Sequence, residues 1–68
     1  KDIPKIIGSM KSLKTLNYCN NGIKKVPNCL FNIKKNLINL RLGNNKFSLK
    51  EKIRCSRKLP NTKIEWIL

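Results

Sequence analysis

Residues 13–27 read LKTLNYCNNGIKKVP, and residues 37–47 read LINLRLGNNKF. Superimposing Leu13 on Leu37 and keeping that step constant brings apolar residues onto apolar residues and asparagine onto asparagine. The matched pairs are Leu13 with Leu37, Leu16 with Leu40, Tyr18 with Leu42, Asn21 with Asn45 and Ile23 with Phe47. A fixed step of this kind indicates an internal structural repeat.

The same step continues into TKIEWIL, residues 62–68. There Ile64 matches Leu40 and Trp66 matches Leu42, whereas Asn61 stands where leucine is expected. Upstream, IPKIIGSM pairs with VPNCLFNI at a step that is shorter by a single position. The repetition therefore covers nearly the whole chain.

The pattern LxxLxLxxNxL followed by xxVPxxL resembles the leucine-rich repeat family, and IPKIIGSMKSLKTL with NGIKKVPNCLF resembles its intracellular Ras-associated type. The resemblance implies an α/β fold: a leucine-rich repeat solenoid, a short right-handed coil with one parallel β-strand per ~24-residue repeat and helical or 3₁₀ returns. It also implies binding to another protein. We expect residues 1–68 to be a single segment of about two full repeats and a terminal strand, belonging to a longer array.

The alternation within LxxLxL predicts short strands with one face toward a core. Asn21 and Asn45 follow the first two strands, where an amide side chain can donate to and accept from the turning backbone, so we interpret them as a structural asparagine ladder. The predicted core residues are Leu13, Leu16, Tyr18, Ile23, Val26, Leu30, Leu37, Leu40, Leu42, Phe47, Ile64 and Trp66.

The two returns differ in sequence. NCLFNIK, residues 28–34, predicts a short helical or 3₁₀ turn, whereas residues 48–58, SLKEKIRCSRK, predict an α-helix. Ser48 and Glu51 have the spacing of a capping box, and Pro60 ends the helix. The predicted apolar face of this helix consists of Leu49, Ile53, Ser56 and Leu59.

Lys and Arg number 16 against three acidic residues, which gives a formal net charge of +13. Such a charge attracts anionic partners. The A/T-rich codons of Lys, Asn and Ile offer a second explanation for the composition, and the sequence leaves both open.

The three cysteines, Cys19, Cys29 and Cys55, match neither a CxxC pair nor a zinc-binding spacing. Reduced thiols and an intracellular, cytoplasmic location are expected from this usage. No apolar run approaches the roughly 18 residues of a membrane span.

The sequence contains no histidine, and its acids are only Asp2, Glu51 and Glu65. It also lacks the GxxxxGK[ST] and GxGxxG phosphate-binding patterns. We therefore predict that the chain is not an enzyme and uses no metal, cofactor or small-molecule substrate.

The outward strand positions form the candidate protein-binding site, on what the resemblance implies is a concave face. Ile38 is distinctive because it is an apolar side chain among polar ones, as a contact anchor would be. The full set is Lys14, Thr15, Asn17, Ile38, Asn39, Arg41, Thr62, Lys63 and Glu65, with Asn20, Asn44 and Lys46 extending it beyond the strands.

An alternative function is electrostatic binding of nucleic acid or acidic membrane. Its candidate residues form a basic patch on the predicted helix: Lys50, Arg54, Arg57 and Lys58.

The chain ends also carry apolar residues, in IPKIIG at the start and in Trp66, Ile67 and Leu68 at the finish. Because a repeat buries its apolar face against a neighbour, we expect further sequence upstream or end-to-end self-association.

Overall fold

The computed structural model describes residues 2–67, so the predictions that involve Lys1 and Leu68 lie outside the described residues. Two 3₁₀ helices, Lys5–Ser9 and Asn28–Ile33, each begin directly after a proline. The remaining elements are strand β1 (Thr15–Asn17), strand β2 (Asn39–Arg41), helix α1 (Leu49–Lys58) and strand β3 (Lys63–Glu65).

The three strands form one parallel sheet in the order β1-β2-β3. Leu16 pairs with Leu40, and Leu40 pairs with Ile64, so strand partners keep the constant step seen in the sequence. Backbone hydrogen bonds continue past the strands, since Tyr18 N–H donates to Arg41 O at 2.8 Å. Each strand is therefore held by backbone as well as by its inward side chain.

The predicted leucine-rich repeat solenoid is wrong. The chain forms a compact globule of 26 × 22 × 19 Å with one open three-stranded sheet and, within residues 2–67, one α-helix. Three strands at the usual spacing of ~4.8 Å make a sheet only about 10 Å wide. A sheet this narrow does not elongate the molecule in the direction in which repeats would stack. The two connections also differ, because one is a 3₁₀ helix and the other is a ten-residue α-helix.

The core lies between the sheet and the returning segments. Of the predicted core residues, Ile23, Val26, Leu30, Leu37, Leu40 and Leu42 are confirmed as fully buried. The others, including Leu16 and Ile64, are only partly buried against the core. Leu16 and Ile64 belong to the outer strands β1 and β3, whereas Leu40 in the central strand is covered on both sides. Ile33 and Leu59, predicted to face inward from the two returns, are also buried, and the core residues absent from the prediction are Ile3, Ile7 and Cys55.

The predicted helix forms, and its N-terminus is capped as expected, because Ser48 Oγ accepts a hydrogen bond from Glu51 N at 3.1 Å. Of its predicted apolar face, however, only Leu59 is buried. Leu49 and Ile53 are exposed, and the buried side chains of α1 are Glu51 and Cys55. Glu51, Cys55 and Leu59 follow one another at four-residue intervals and therefore share the face that meets the core.

The two 3₁₀ helices pack against each other at Gly8. A Cβ atom added there would lie 2.5 Å from the backbone oxygen of Cys29. Only a residue without a side chain permits this approach. The packing explains why Ile7 is buried in the core although the prediction omitted it.

Asn45 connects the ends of the first two strands. Its Oδ1 atom accepts hydrogen bonds from Asn21 N and Ile23 N, both at 3.0 Å. Its Nδ2 group donates to the carbonyl oxygens of Tyr18 and Leu42, both at 2.9 Å. One amide thus satisfies backbone groups that the sheet no longer reaches. Asn21 makes a similar local bond, from Nδ2 to Cys19 O at 2.8 Å.

We expect Asn45→Ala to lower the free energy of unfolding by roughly 3 kcal/mol, because it leaves several partly buried backbone groups without partners. The control is Asn32→Ala, which changes an exposed asparagine and should shift stability by less than about 0.5 kcal/mol. Urea denaturation followed by circular dichroism gives both values. Equal stability of the two variants would contradict the assigned role of Asn45.

Candidate binding site

The outward positions of the sheet form two rows across the strands. Thr15, Asn39 and Lys63 are register partners in the first row. The second row consists of Asn17, Arg41 and Glu65. The structure therefore brings these six predicted residues together on one face.

The second row contains an ion pair between Arg41 and Glu65, whose Nε and Oε1 atoms lie 2.9 Å apart. Both side chains remain about two-fifths exposed. At the other end of the row, Asn17 Oδ1 accepts a hydrogen bond from Cys19 N at 3.1 Å. Contacts within the chain therefore hold side chains at both ends of this row.

A third row precedes the strands and contains Lys14, Ile38 and Thr62. Ile38 N–H donates to Lys14 O at 2.8 Å, and Ile38 O accepts from Lys63 N at 2.7 Å. The Ile38 side chain is 51% exposed. Thr62 Oγ donates a hydrogen bond to Leu37 O at 2.7 Å, which links the segment before β3 to the segment before β2. The row therefore presents an apolar side chain held in place by backbone bonds on both sides.

The residues Asn20 and Asn44 lie just beyond β1 and β2. Both adopt the left-handed backbone region, with φ of 63° and 57°. Asparagine tolerates this region better than most residues. Asn44 Nδ2 donates to Asn20 Oδ1 at 2.5 Å, so the two exposed amides continue the alignment of the strands.

The predicted basic patch divides into two kinds of residue. Arg54 contacts Glu51 through two hydrogen bonds of 3.0 and 2.9 Å. It also donates to Asn28 Oδ1 at 2.9 Å and lies over the Phe31 ring, 5.1 Å from its centroid. Arg54 is therefore a structural residue whose charge is balanced within the fold.

Glu51 is the centre of this cluster. Its side chain is only 9% exposed, and its Oε2 atom accepts a hydrogen bond from Val26 N at 2.8 Å. Burial by itself raises the pKa of a carboxyl, but the hydrogen bonds from Arg54 and Val26 and the Arg54 charge outweigh it, so the pKa of Glu51 lies below its ordinary value. The Arg54 pKa is raised by the same hydrogen-bonded contact with Glu51.

The other members of the predicted patch, Lys50, Arg57 and Lys58, are exposed. Within residues 2–67, ion pairs join only Arg41 to Glu65 and Arg54 to Glu51. An open groove of about 740 Å³ runs beside these residues. The cationic side chains that line the groove are Lys24, Lys25, Lys50, Arg54, Arg57 and Lys58.

Sequence reasoning did not include Lys24 and Lys25 in this patch. They are distant from α1 in sequence, and the Glu51 bond to Val26 brings their segment against the helix. The sequence did show Glu51 as a single acid near the start of a basic helix. From that position we predicted helix capping, not the contact with Val26.

The chain matches no protein-family model, and no curated protein sequence is significantly similar to it. Among the described residues, none of the helices has the length and apolar character that a membrane crossing requires. Residues 2–67 also hold no group of three or more His, Cys, Asp or Glu side chains placed to bind a metal ion.

We expect Glu51→Gln to destabilise the fold by about 2 kcal/mol at neutral pH, since it leaves the partly buried Arg54 without its counter-charge. Glu65→Gln is the matched control and should cost less than about 1 kcal/mol, because its ion pair is partly solvated. Urea denaturation of both variants measures the difference. Similar losses for the two would contradict a special role for Glu51.

The wild type and Glu51→Gln should also differ in their pH dependence. The Glu51 pKa is lower in the folded chain than its reference value of 4.5, so the folded state gains stability above that value. The advantage of the wild type over Glu51→Gln should therefore shrink as pH falls through the lowered pKa. Urea denaturation at pH 6 and at pH 3, a range of about three units that includes the carboxyl pKa, measures this change. If the difference in unfolding free energy between the two proteins stays constant, the linkage is excluded.

Cys55 is expected to resist alkylation in the folded chain. Burial, together with the Glu51 charge, raises the pKa of its thiol to about 12, and the thiolate is the reactive form. Cys19 and Cys29 are only half-buried and serve as internal controls. After iodoacetamide treatment, peptide mass mapping should find Cys55 modified only when urea is present.

Proposed function

We propose that this protein is a non-catalytic module that binds a protein partner on the outward face of its sheet. The observation that carries the proposal is Ile38, which is 51% exposed between ordered polar neighbours. Protein interfaces commonly place an apolar anchor at the centre of a polar rim. Lys14 lies beside Ile38, and the Arg41–Glu65 pair lies farther along the same sheet.

The order of this face further supports the proposal. Ile38 is bonded through its backbone to both neighbouring strand segments, and Arg41 is held by Glu65. Because these groups are held in place before binding, ordering them would add little to the free-energy cost of association. The resemblance to leucine-rich repeat proteins is consistent with the same role.

An intracellular location is part of the proposal. It is supported by Cys19, Cys29 and Cys55, which are all free thiols in the structure. Unpaired cysteines are typical of a reducing compartment.

We expect Ile38→Gln to weaken partner binding at least about tenfold, as loss of a buried aliphatic contact would. The matched control is Ile6→Gln, since Ile6 is also an exposed isoleucine but lies in the first 3₁₀ helix. The tagged wild-type chain and both variants are incubated with nuclease-treated native lysate, and the retained proteins are quantified by mass spectrometry.

A defined protein that is retained by the wild type and by Ile6→Gln, but lost with Ile38→Gln, would support the proposal. The proposal fails if Ile38→Gln retains the same proteins in the same amounts. It also fails if nuclease treatment removes every retained protein, because binding through nucleic acid would then explain the retention.

A further inference from the structure

Two apolar side chains of helix α1 lie outside the core. Leu49 is 74% exposed and Ile53 is 45% exposed. The half-buried Trp66 joins them around a shallow depression of about 440 Å³. We call Leu49, Ile53 and Trp66 the apolar patch. Leu49 and Ile53 lie on the opposite side of the helix from the buried Glu51 and Cys55.

Cations surround the apolar patch. Lys52 lies over the Trp66 ring, 5.9 Å from its centroid, and Arg57 lines the same depression. The neighbouring groove shares Ile53 and Arg57 with this depression and adds further lysines. None of these cations forms an ion pair with another of residues 2–67. We call the set the basic rim: Lys24, Lys25, Lys50, Lys52, Arg57 and Lys58.

The combination of an aliphatic patch and a basic rim has a specific chemical complement. An anionic bilayer surface offers acyl chains to exposed leucine and isoleucine and offers phosphates to the lysines around them. A short helix with both features can lie in the plane of the headgroups without crossing the bilayer.

Two other occupants fit the patch less well. Single-stranded nucleic acid prefers aromatic rings for stacking, but Leu49 and Ile53 are aliphatic and the Trp66 ring packs edge-on against Phe47 at 5.3 Å. A second copy of the chain would bring together two molecules that each carry +13. Charge complementarity therefore favours an anionic lipid surface.

We propose that the apolar patch and the basic rim bind the surface of an anionic membrane. Leu49 and Ile53 insert between the headgroups, and the lysines and Arg57 contact the lipid phosphates. This surface is separate from Ile38 and the outward sheet face, so it can fail or succeed independently of the proposed protein binding.

The test uses co-sedimentation of the full chain with phosphatidylcholine vesicles, with and without about 30 mole percent phosphatidylserine, at about 0.1 M salt. We expect binding to the anionic vesicles only. Trp66 is the single tryptophan of the chain, so its emission reports on the patch directly. It should shift to shorter wavelength with anionic vesicles and stay unchanged with neutral ones.

Three double variants separate insertion from general charge. Leu49→Gln with Ile53→Gln should weaken vesicle binding about tenfold or more, because the apolar contact is lost. Lys50→Gln with Lys58→Gln should weaken it about 25-fold. The matched charge control, Lys34→Gln with Lys35→Gln, removes two exposed lysines outside the rim and should have a much smaller effect. Circular dichroism of each variant checks that it is folded.

The proposal is overturned if the anionic vesicles are not bound, or if the Leu49 and Ile53 double variant binds them as the wild type does. Equal losses for the two lysine pairs would also overturn it, since diffuse charge would then suffice. Two results without vesicle binding would assign the surface elsewhere: binding of a labelled single-stranded oligonucleotide that depends on Lys50 and Lys58, or a dimer that disappears with Leu49→Gln and Ile53→Gln. The Trp66 emission of the wild type decides the question even if a variant does not fold.

Discussion

The contact on which the arrangement of this protein depends is the bond of 2.8 Å from Val26 N to the Glu51 carboxylate. The Val26 amide belongs to a segment that pairs with none of the described strands, and a buried amide without a partner is costly. Glu51 satisfies it from the first half of α1 and is itself balanced by Arg54. This draws the Glu51 side of the helix inward, so Cys55 and Leu59 enter the core behind it.

The orientation of α1 determines the character of the surface. Glu51 and Arg54 pair with each other within the fold. The other cations of the helix form no ion pair with any of residues 2–67. Leu49 and Ile53 are then left outside the core, beside those cations. The chain thus carries two different surfaces, a mainly polar sheet face around Ile38 and a basic, partly apolar helix face, separated by one small core.

Several features were predictable because they depend on short-range rules. The constant step between the LxxLxL motifs predicted the strand partners, since inward leucines such as Leu16 and Leu40 must pair to bury one face of a parallel sheet. Ser48 was recognisable as a helix cap from its position before the helix. The candidate rows on the sheet were predictable for the same reason, because outward residues follow from the register once the inward ones are known. The solenoid did not follow, because strands of three residues and unlike connections produce a compact body instead of a coil.

By itself, the amino-acid sequence determined which strand residues face inward and which face outward, where the helix begins and how strongly basic the chain is. Those properties depend on neighbours in the chain and on composition alone. Only the tertiary structure decided which face of α1 is buried. Glu51 is buried there, whereas Leu49 and Ile53 are exposed. The physical reason is that a periodic pattern counts apolar side chains, whereas the fold must also satisfy a buried amide 25 residues away.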